Sequence, residues 1–334
     1  MSPRDGTPDW PRLLDNFSRC RIVVVGDLVA DHYVYGQTDR VSREAPVLIV
    51  RHERDEVKLG AAGNVAANAR ALGASVAAVG VVGDDVAGAQ LRRAFGDADI
   101  ALTDVRGDGL ETQSKMRVLA GALNTTRQQM LRIDRGYRAP LPAPLRKALA
   151  ERVSIAAQRA DAILVSDYGA GVVCEEVEAV LREAARLGKI VCVDSRYALR
   201  RFSGLPFLKP NESELAALTG MSVEDEALSL AAGVNALQQT QGSTLLVTRG
   251  HEGMALFAPG QPPKLFPVHG APEAVDVTGA GDTVLATFGL GLAAGADAAR
   301  AAQLANVAGG LVVQKPGTAS VAPEELRRAV EALA

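Results

Sequence analysis

Asp276-Val277-Thr278-Gly279-Ala280-Gly281-Asp282 runs directly into a small, apolar segment, Thr283 to Ala294. Two glycines permit a sharp backbone turn, and the residues after them read as a helix. Several N–H groups with no partner inside the helix therefore point out of one helix N-terminus. Such an end concentrates positive potential and suits a phosphate. Asp282 falls in the first turn, where a carboxylate is placed to take a proton from a hydroxyl approaching that phosphate. The plainer reading is that Asp282 merely caps a helix after a glycine turn, and the rest of the chain has to decide between them.

The bulk properties narrow the choice. At 334 residues the chain is long enough to bury a substantial α/β core, and its 48% hydrophobic content is that of a globular protein. A formal charge of −3 gives no general attraction to nucleic acid or to an anionic membrane, so phosphate recognition has to come from a local cluster. Cys20, Cys174 and Cys192 are odd in number and show no C-x-x-C spacing, which argues against a disulfide framework or a zinc site and for a reducing, cytoplasmic compartment. Met1 to Asp15 is polar, with several prolines and no signal-like apolar run, and no later segment reads as a membrane span. We expect residues 1–20 to be a loose tail and residues 21–334 one domain.

Arg21 to Gly26 is a continuous β-branched run ended by Gly-Asp, the pattern of a strand buried on both faces, which puts Asp27 at a strand's C-terminal end, where open parallel sheets bind ligands. Tyr33 to Lys58 instead alternates and carries mixed charge, predicting two or three half-exposed antiparallel strands. Gly60-Ala61-Ala62-Gly63-Asn64 opens a helix that Gly73 closes, and a buried Asn64 needs hydrogen-bond partners. From Ser75 onward strands (Ser75 to Val82, Ala162 to Ser166, Ile190 to Val193, Phe207 to Lys209, Thr244 to Thr248) alternate with helices near Val86 to Phe95, Pro144 to Gln158, Glu175 to Leu187 and Asp225 to Gln239. That rhythm predicts a parallel sheet covered on both faces. Thr112 to Ala120 and Arg127 to Asp134 read as an inserted polar hairpin, forming with Tyr33 to Lys58 a small β layer over one sheet end.

No stretch carries a Walker A signature, since Ala89 stands where Gly83 to Gly88 would need a following lysine, and no strand leads into G-x-G-x-x-G. Lys209-Pro210-Asn211-Glu212-Ser213-Glu214 follows a short strand and begins a helix. Its acidic residues favour a helix N-terminus, yet beside an anion site Asn211 and Glu214 also suit Mg²⁺ held through water next to a polyphosphate. Thr248-Arg249-Gly250-His251-Glu252-Gly253 is a strand and glycine turn, ordinary as a hairpin but also suited to lying against a flat nucleotide.

Together these motifs resemble those of the ribokinase, or PfkB, carbohydrate kinases: Asp276 to Asp282 is similar to their D-x-T-G-A-G-D signature, Asn211 to Glu214 to their N-x-x-E, Gly60 to Asn64 to their N-terminal glycine-rich signature, and Gly26-Asp27 to the start of their first strand. Within that family Tyr35-Gly36, Arg40 to Val47, Lys115-Met116-Arg117 and Gln128 to Asp134 look like the D-glycero-β-D-manno-heptose 7-phosphate kinases of lipopolysaccharide-core synthesis. Two departures fall near the expected acceptor pocket: a longer connection from Gly121 to Thr126, and Asp194-Ser195-Arg196 in place of Asp-Pro-Lys. No nucleotidyltransferase part is expected, as the chain ends soon after its last helix.

The resemblance implies a ribokinase-like three-layer sandwich with a mostly parallel sheet and a small β-sheet lid, and transfer of the ATP γ-phosphate to the anomeric hydroxyl of a sugar phosphate. Asp282 would be the base and Gly279, Ala280 and Gly281 the anion hole. Asp27 and Asn64 would bind sugar hydroxyls, with Arg43, Lys115 and Arg117 on the lid facing the substrate's own phosphate. Asn211, Thr248, Gly250, Gly253 and Asn306 would meet the nucleotide, Glu214 and Asn211 would hold Mg²⁺ through water, and Asp276, Thr278 and Ser320 would surround K⁺. A homodimer through the lid is expected. A family kinase for a free pentose or hexose would share every catalytic motif and differ in the lid, whereas a non-catalytic nucleotide-binding regulator would have no use for Asp282 together with Glu214.

Overall fold

The protein is described here from a computed structural model covering residues 9–333 except 108, 123–126, 138–139 and 272. The chain begins with helix α1 (Trp10–Asp15), then β1 (Arg21–Gly26), β2 (Leu28–Val41), β3 (Leu48–Ala61), α2 (Ala62–Ala71), β4 (Ser75–Gly83), α3 (Val86–Asp97) and β5 (Ala101–Gly107). It continues through β6 (Ser114–Gly121), β7 (Gln128–Arg135), α4 (Ala143–Arg159), β8 (Ala162–Asp167), α5 (Glu175–Arg186), β9 (Ile190–Ser195), β10 (Phe207–Leu208), α6 (Glu212–Thr219) and α7 (Glu226–Gln239). The last elements are β11 (Thr244–Thr248), β12 (Met254–Phe257), β13 (Lys264–Phe266), α8 (Ala280–Ala293), α9 (Ala298–Val312) and α10 (Pro323–Glu331).

Strands whose residues are apolar on both faces lie in the middle of the larger sheet, ordered β13-β12-β11-β10-β9-β8-β1-β4-β5. On β1, Ile22 and Val24 enter one core and Val23 and Val25 the other, so each strand serves two helical layers. α2, α8 and α9 cover one face, and α4 to α7 the other. Strands β5 to β11 of this order run parallel, while β12 and β13 return antiparallel at the edge. The α/β three-layer sandwich expected from the sequence is present. Its parallel strands end together at Gly26, Asp167, Ser195, Leu208 and Thr248, which makes one sheet end the natural ligand face.

The lid is a second sheet ordered β3-β2-β6-β7. Two antiparallel ribbons are joined through the parallel pair β2–β6, an arrangement the hairpin pattern did not reveal. β2 starts at Leu28, five residues before the expected boundary, because Val29, Asp31, Tyr33 and Tyr35 continue one face of the same strand. Of the long connection expected at Gly121 to Thr126, residues 123–126 lie outside the described residues. The expected tail also differs: Trp10, Leu14 and Phe17 are buried in the core beside α10, so residues 10–20 belong to the folded domain. A Pro-rich composition concealed a short amphipathic helix, started by the Asp9 side chain accepting from the Arg12 N–H.

We expect Trp10→Ala to destabilise the protein by about 3–5 kcal/mol in denaturant unfolding, the range for emptying a buried aromatic site. A loss under about 1 kcal/mol would show that α1 is peripheral to the cooperative unit.

Candidate active site

Helix α8 begins where Gly279 takes a left-handed conformation, φ 80°. A side chain there is excluded twice, by the backbone and by the Asn64 amide, 2.5 Å from where a Cβ would stand. The Ala280 N–H turns back to the Val277 carbonyl (3.2 Å) and the Thr283 N–H donates to the Gly279 carbonyl (3.0 Å). The N–H groups of Gly279, Gly281 and Asp282 have no acceptor among the described residues. The free donors are thus shifted from the expected set: Asp282's own N–H joins it, and that of Ala280 leaves it.

Asp282 is buried, and its Oδ2 accepts a 2.7 Å hydrogen bond from Asn64 Nδ2. Asn64 is fixed in turn by Asn68, whose Nδ2 donates to the Asn64 carbonyl and Oδ1, and Asn68 Oδ1 accepts from Thr283 Oγ1. This buried polar chain ties α2 to α8, answering the question of what a buried Asn64 would bond. Burial, helped by the charges of Asp194 and Asp31, pushes the Asp282 carboxyl up to about 7, against the pull of the Asn64 hydrogen bond and of Lys209. A carboxylate poised there is a better base than one of ordinary acidity.

Asp27 does not face the cleft. It is completely buried, and its carboxylate accepts from the backbone N–H groups of Tyr168 (2.7 Å), Ala170 (3.1 Å) and Val172 (3.4 Å). The expectation that it binds sugar is corrected: a carboxylate at the end of β1 is used to shape the loop after β8. That loop presents Tyr168, which lies between the charge of Asp282 and the lid ammonium of Lys115, 4.9 Å from its ring centroid. Asp31, four residues further on, is, with Asp194, one of the two carboxylates whose charge reaches Asp282. It is 5% exposed, bonds Arg117 Nη1 at 2.6 Å, and lies so close to Gly60 that a Cβ there would stand 2.7 Å from its Oδ2. Alternation along β2 held a signal for it, since Asp31 shares the face of Tyr33 and Tyr35.

Lys115 is half-buried, and desolvation holds its ammonium below the ordinary value, against the attraction of Asp31. It forms no ion pair among the described residues. Arg43 is not brought to this place. It is exposed in the turn between β2 and β3, separated from Asp31 by roughly 30 Å of strand.

On the other side of Asp282 opens a cleft of about 620 Å³. Gly279, Ala280 and Gly281 line it together with Asn211, Glu214, Thr248, Gly250, Gly253 and Asn306, so the expected nucleotide-side residues do converge. Asn211 and Thr248 form a parallel bridge that joins two of the motifs. Asn211 and Glu214 cap α6 reciprocally, each side chain accepting the other's N–H at 2.8 Å, and burial next to Asp194 raises the Glu214 carboxyl. Asn306 donates to the Pro267 carbonyl. Asp194, Arg196 and Lys209 also line the cleft and were not singled out individually for chemistry from the sequence. Ser195, in the departing tripeptide, donates to buried Asp167.

The residues proposed for K⁺ are engaged. Asp276 accepts from the N–H groups of Thr278 (2.8 Å) and Gly317 (2.9 Å); burial opposes its charge, but these bonds outweigh it and hold the carboxyl below its usual value. The Ser320 carbonyl already accepts from the Lys315 ammonium at 2.9 Å.

A helix N-terminus with open donors, a buried carboxylate of raised basicity beside it and a long cleft at the ends of parallel strands define a phosphotransferase site, and residues 20–325 match the pfkB family carbohydrate kinase model. The chain belongs to that family. The bifunctional protein HldE of Pelobacter propionicus is 42% identical over 321 residues, covering 94% of this chain and 64% of the relative. HldE of Caulobacter vibrioides is 42% identical over 316 residues, covering 93% and 63%. The chain thus spans a little under two thirds of these relatives. The fold is shared with Arabidopsis thaliana ribokinase, solved with ribose and ATP (TM-score 0.70, 24% identity, 94% and 98% covered). It is also shared with Escherichia coli phosphofructokinase-2, solved with potassium (TM-score 0.77, 18% identity, 94% and 99% covered).

Two outcomes follow from this geometry. The folded protein favours protonated Asp282 relative to the unfolded chain, whose carboxyl titrates near 3.9. Asp282 therefore removes stability as pH rises from about 4 to about 7, and Asp282→Asn should raise Tm at about pH 8 and leave it unchanged near pH 4 while lowering turnover ~10²–10⁴-fold. Wild-type-like turnover in this variant would contradict the assignment. Asp27→Ala should lose about 2–5 kcal/mol by orphaning three N–H groups, whereas Asp31→Asn should stay folded and lose activity; denaturant midpoints and rates together distinguish them.

Proposed function

We propose that the protein transfers the γ-phosphate of ATP to the anomeric hydroxyl of a sugar that already carries a phosphate, specifically D-glycero-β-D-manno-heptose 7-phosphate, giving the 1,7-bisphosphate. The observation that carries the acceptor class is Lys115: a half-buried ammonium without an ion-pair partner among the described residues, on the lid near Asp31 and Arg117. A dianionic phosphate supplies the missing counter-ion. The sequence resemblance of the lid to heptose 7-phosphate kinases and the 42% identity to HldE support this sugar over a free pentose or hexose.

Asp282 takes the proton of the attacking hydroxyl, and Asn64 orients its carboxylate. The open N–H groups of Gly279, Gly281 and Asp282 hold the oxygens of the phosphoryl group in transit, where charge is spread over the periphery of a loose transition state. Asp31 is the group we assign to the sugar hydroxyls. That Arabidopsis ribokinase was solved with ATP supports ATP as the donor, and we assign it to the cleft with its flat base toward Gly250, Gly253 and Asn306.

Among the described residues no group of three or more His, Cys, Asp or Glu side chains is placed to hold a metal. That fits Mg²⁺ carried by the triphosphate and its waters, with Glu214 and Asn211 as outer partners. When bound it neutralises phosphate charge. No described helix is long and apolar enough to cross a membrane, and the cytoplasmic placement rests on the cysteine usage. For the dimer we propose the lid, which exposes Val41, Val47, Leu48 and Leu131.

An ATP-consumption screen over sugar 7-, 6- and 1-phosphates and free sugars, with the product read by phosphorus NMR, tests the proposal. The heptose 7-phosphate should be the best substrate and gain an anomeric phosphate. Lys115→Met should raise KM for it by about tenfold or more, the size of a lost charge-assisted contact, and leave KM for the unphosphorylated heptose unchanged. Equal effects on both sugars would remove the phosphate-recognition claim.

A further inference from the structure

Lys209 stands just past the end of β10 and is 3% exposed. Its ammonium bonds Asp194 Oδ2 at 2.8 Å, and no other acceptor for its N–H groups lies among the described residues. An ammonium has three donors, so two are left unused on a buried cation, which is rare without a ligand to take them. Their direction is marked by Gly281: a Cβ there would stand 3.5 Å from the Lys209 Nζ and 3.9 Å from Asp194 Oδ2. The lysine therefore abuts the first turn of α8, whose open N–H groups face the same space. Glu214 and Asp282 add negative charge around it, and the cleft reaches all four side chains.

We infer that Lys209 is a catalytic residue of the transfer: its two unused donors take the γ-phosphoryl oxygens beside Gly281, while Asp194 fixes the position of the ammonium. In the step, the bond from the acceptor oxygen to phosphorus forms and the bond from phosphorus to the bridging oxygen breaks, its electron pair leaving on ADP. The acceptor's proton passes to Asp282. Lys209 keeps its proton throughout and neutralises the charge gathered on the moving group. Asp194 is a positioning residue. The assignment rests on the ATP reading above but not on the identity of the sugar.

The test is calorimetric binding of ATP and of ADP to wild type, Lys209→Met and the double variant Lys209→Met/Asp194→Asn, with turnover measured on the best sugar. Lys209→Met should weaken ATP about tenfold or more and ADP by less than about twofold, with kcat down about 100-fold or more. The double variant, which removes the Asp194 carboxylate together with its cation, should show the same loss of ATP-over-ADP preference and decides the matter if the single variant does not fold. An unchanged ATP-to-ADP ratio, or equal weakening of both, would overturn the role of Lys209. Failure of the wild type to bind ATP would overturn the nucleotide reading and this inference with it, whereas failure to find a sugar would leave the binding ratio as the deciding readout.

Discussion

The structure turns on one buried hydrogen bond, from the Asn64 amide to the Asp282 carboxylate at 2.7 Å. It joins the first turn of α2 to the first turn of α8, and so fixes both the Asp282 carboxylate and the open donors beside it in one frame. A buried carboxylate with two like charges near it is held toward neutrality, which raises its basicity. Gly279 follows from the same constraint, since its position has room for the amide and no side chain. The core on the face they share then keeps α2 and α8 from drifting apart.

From this bond the molecule divides into two functional sides. Toward the strand ends lies the long cleft with Asn211, Glu214, Thr248 and the glycines of the β11–β12 connection, set by parallel strand register and by helix caps. Toward the lid lie Asp31, Arg117 and Lys115, set by the direct passage of the chain from β1 of the central sheet into β2 of the second sheet. Tyr168 stands where the two meet, and buried Asp27 holds its backbone in place.

Much of this was legible in the sequence. Continuous β-branched runs gave the buried strands, and the glycine turn before Asp282 gave the start of α8 with its open N–H groups, because both patterns arise from local backbone and burial requirements. What escaped were features set by tertiary register. Asp27 and Asp31 are both carboxylates after the same glycine; only the pairing of β2 with β3 and β6, together with the loop after β8, decides that the first is structural and the second faces Arg117. Lys209 read as the start of a helix cap because its partner, Asp194, lies on a different strand. Trp10 was hidden in a polar, proline-rich stretch whose burial depends on the far C-terminal helix. Arg43 matched the family's lid yet sits at its far tip, since strand length and not sequence order sets the reach of that ribbon.

The central claim, that burial rather than a catalytic partner makes Asp282 a base, is tested most directly by carbon-13 NMR titration of its carboxyl carbon in the resting protein, assigned by loss of the resonance in Asp282→Asn. The account predicts a midpoint of about 7. A midpoint in the ordinary range near 4 would contradict it.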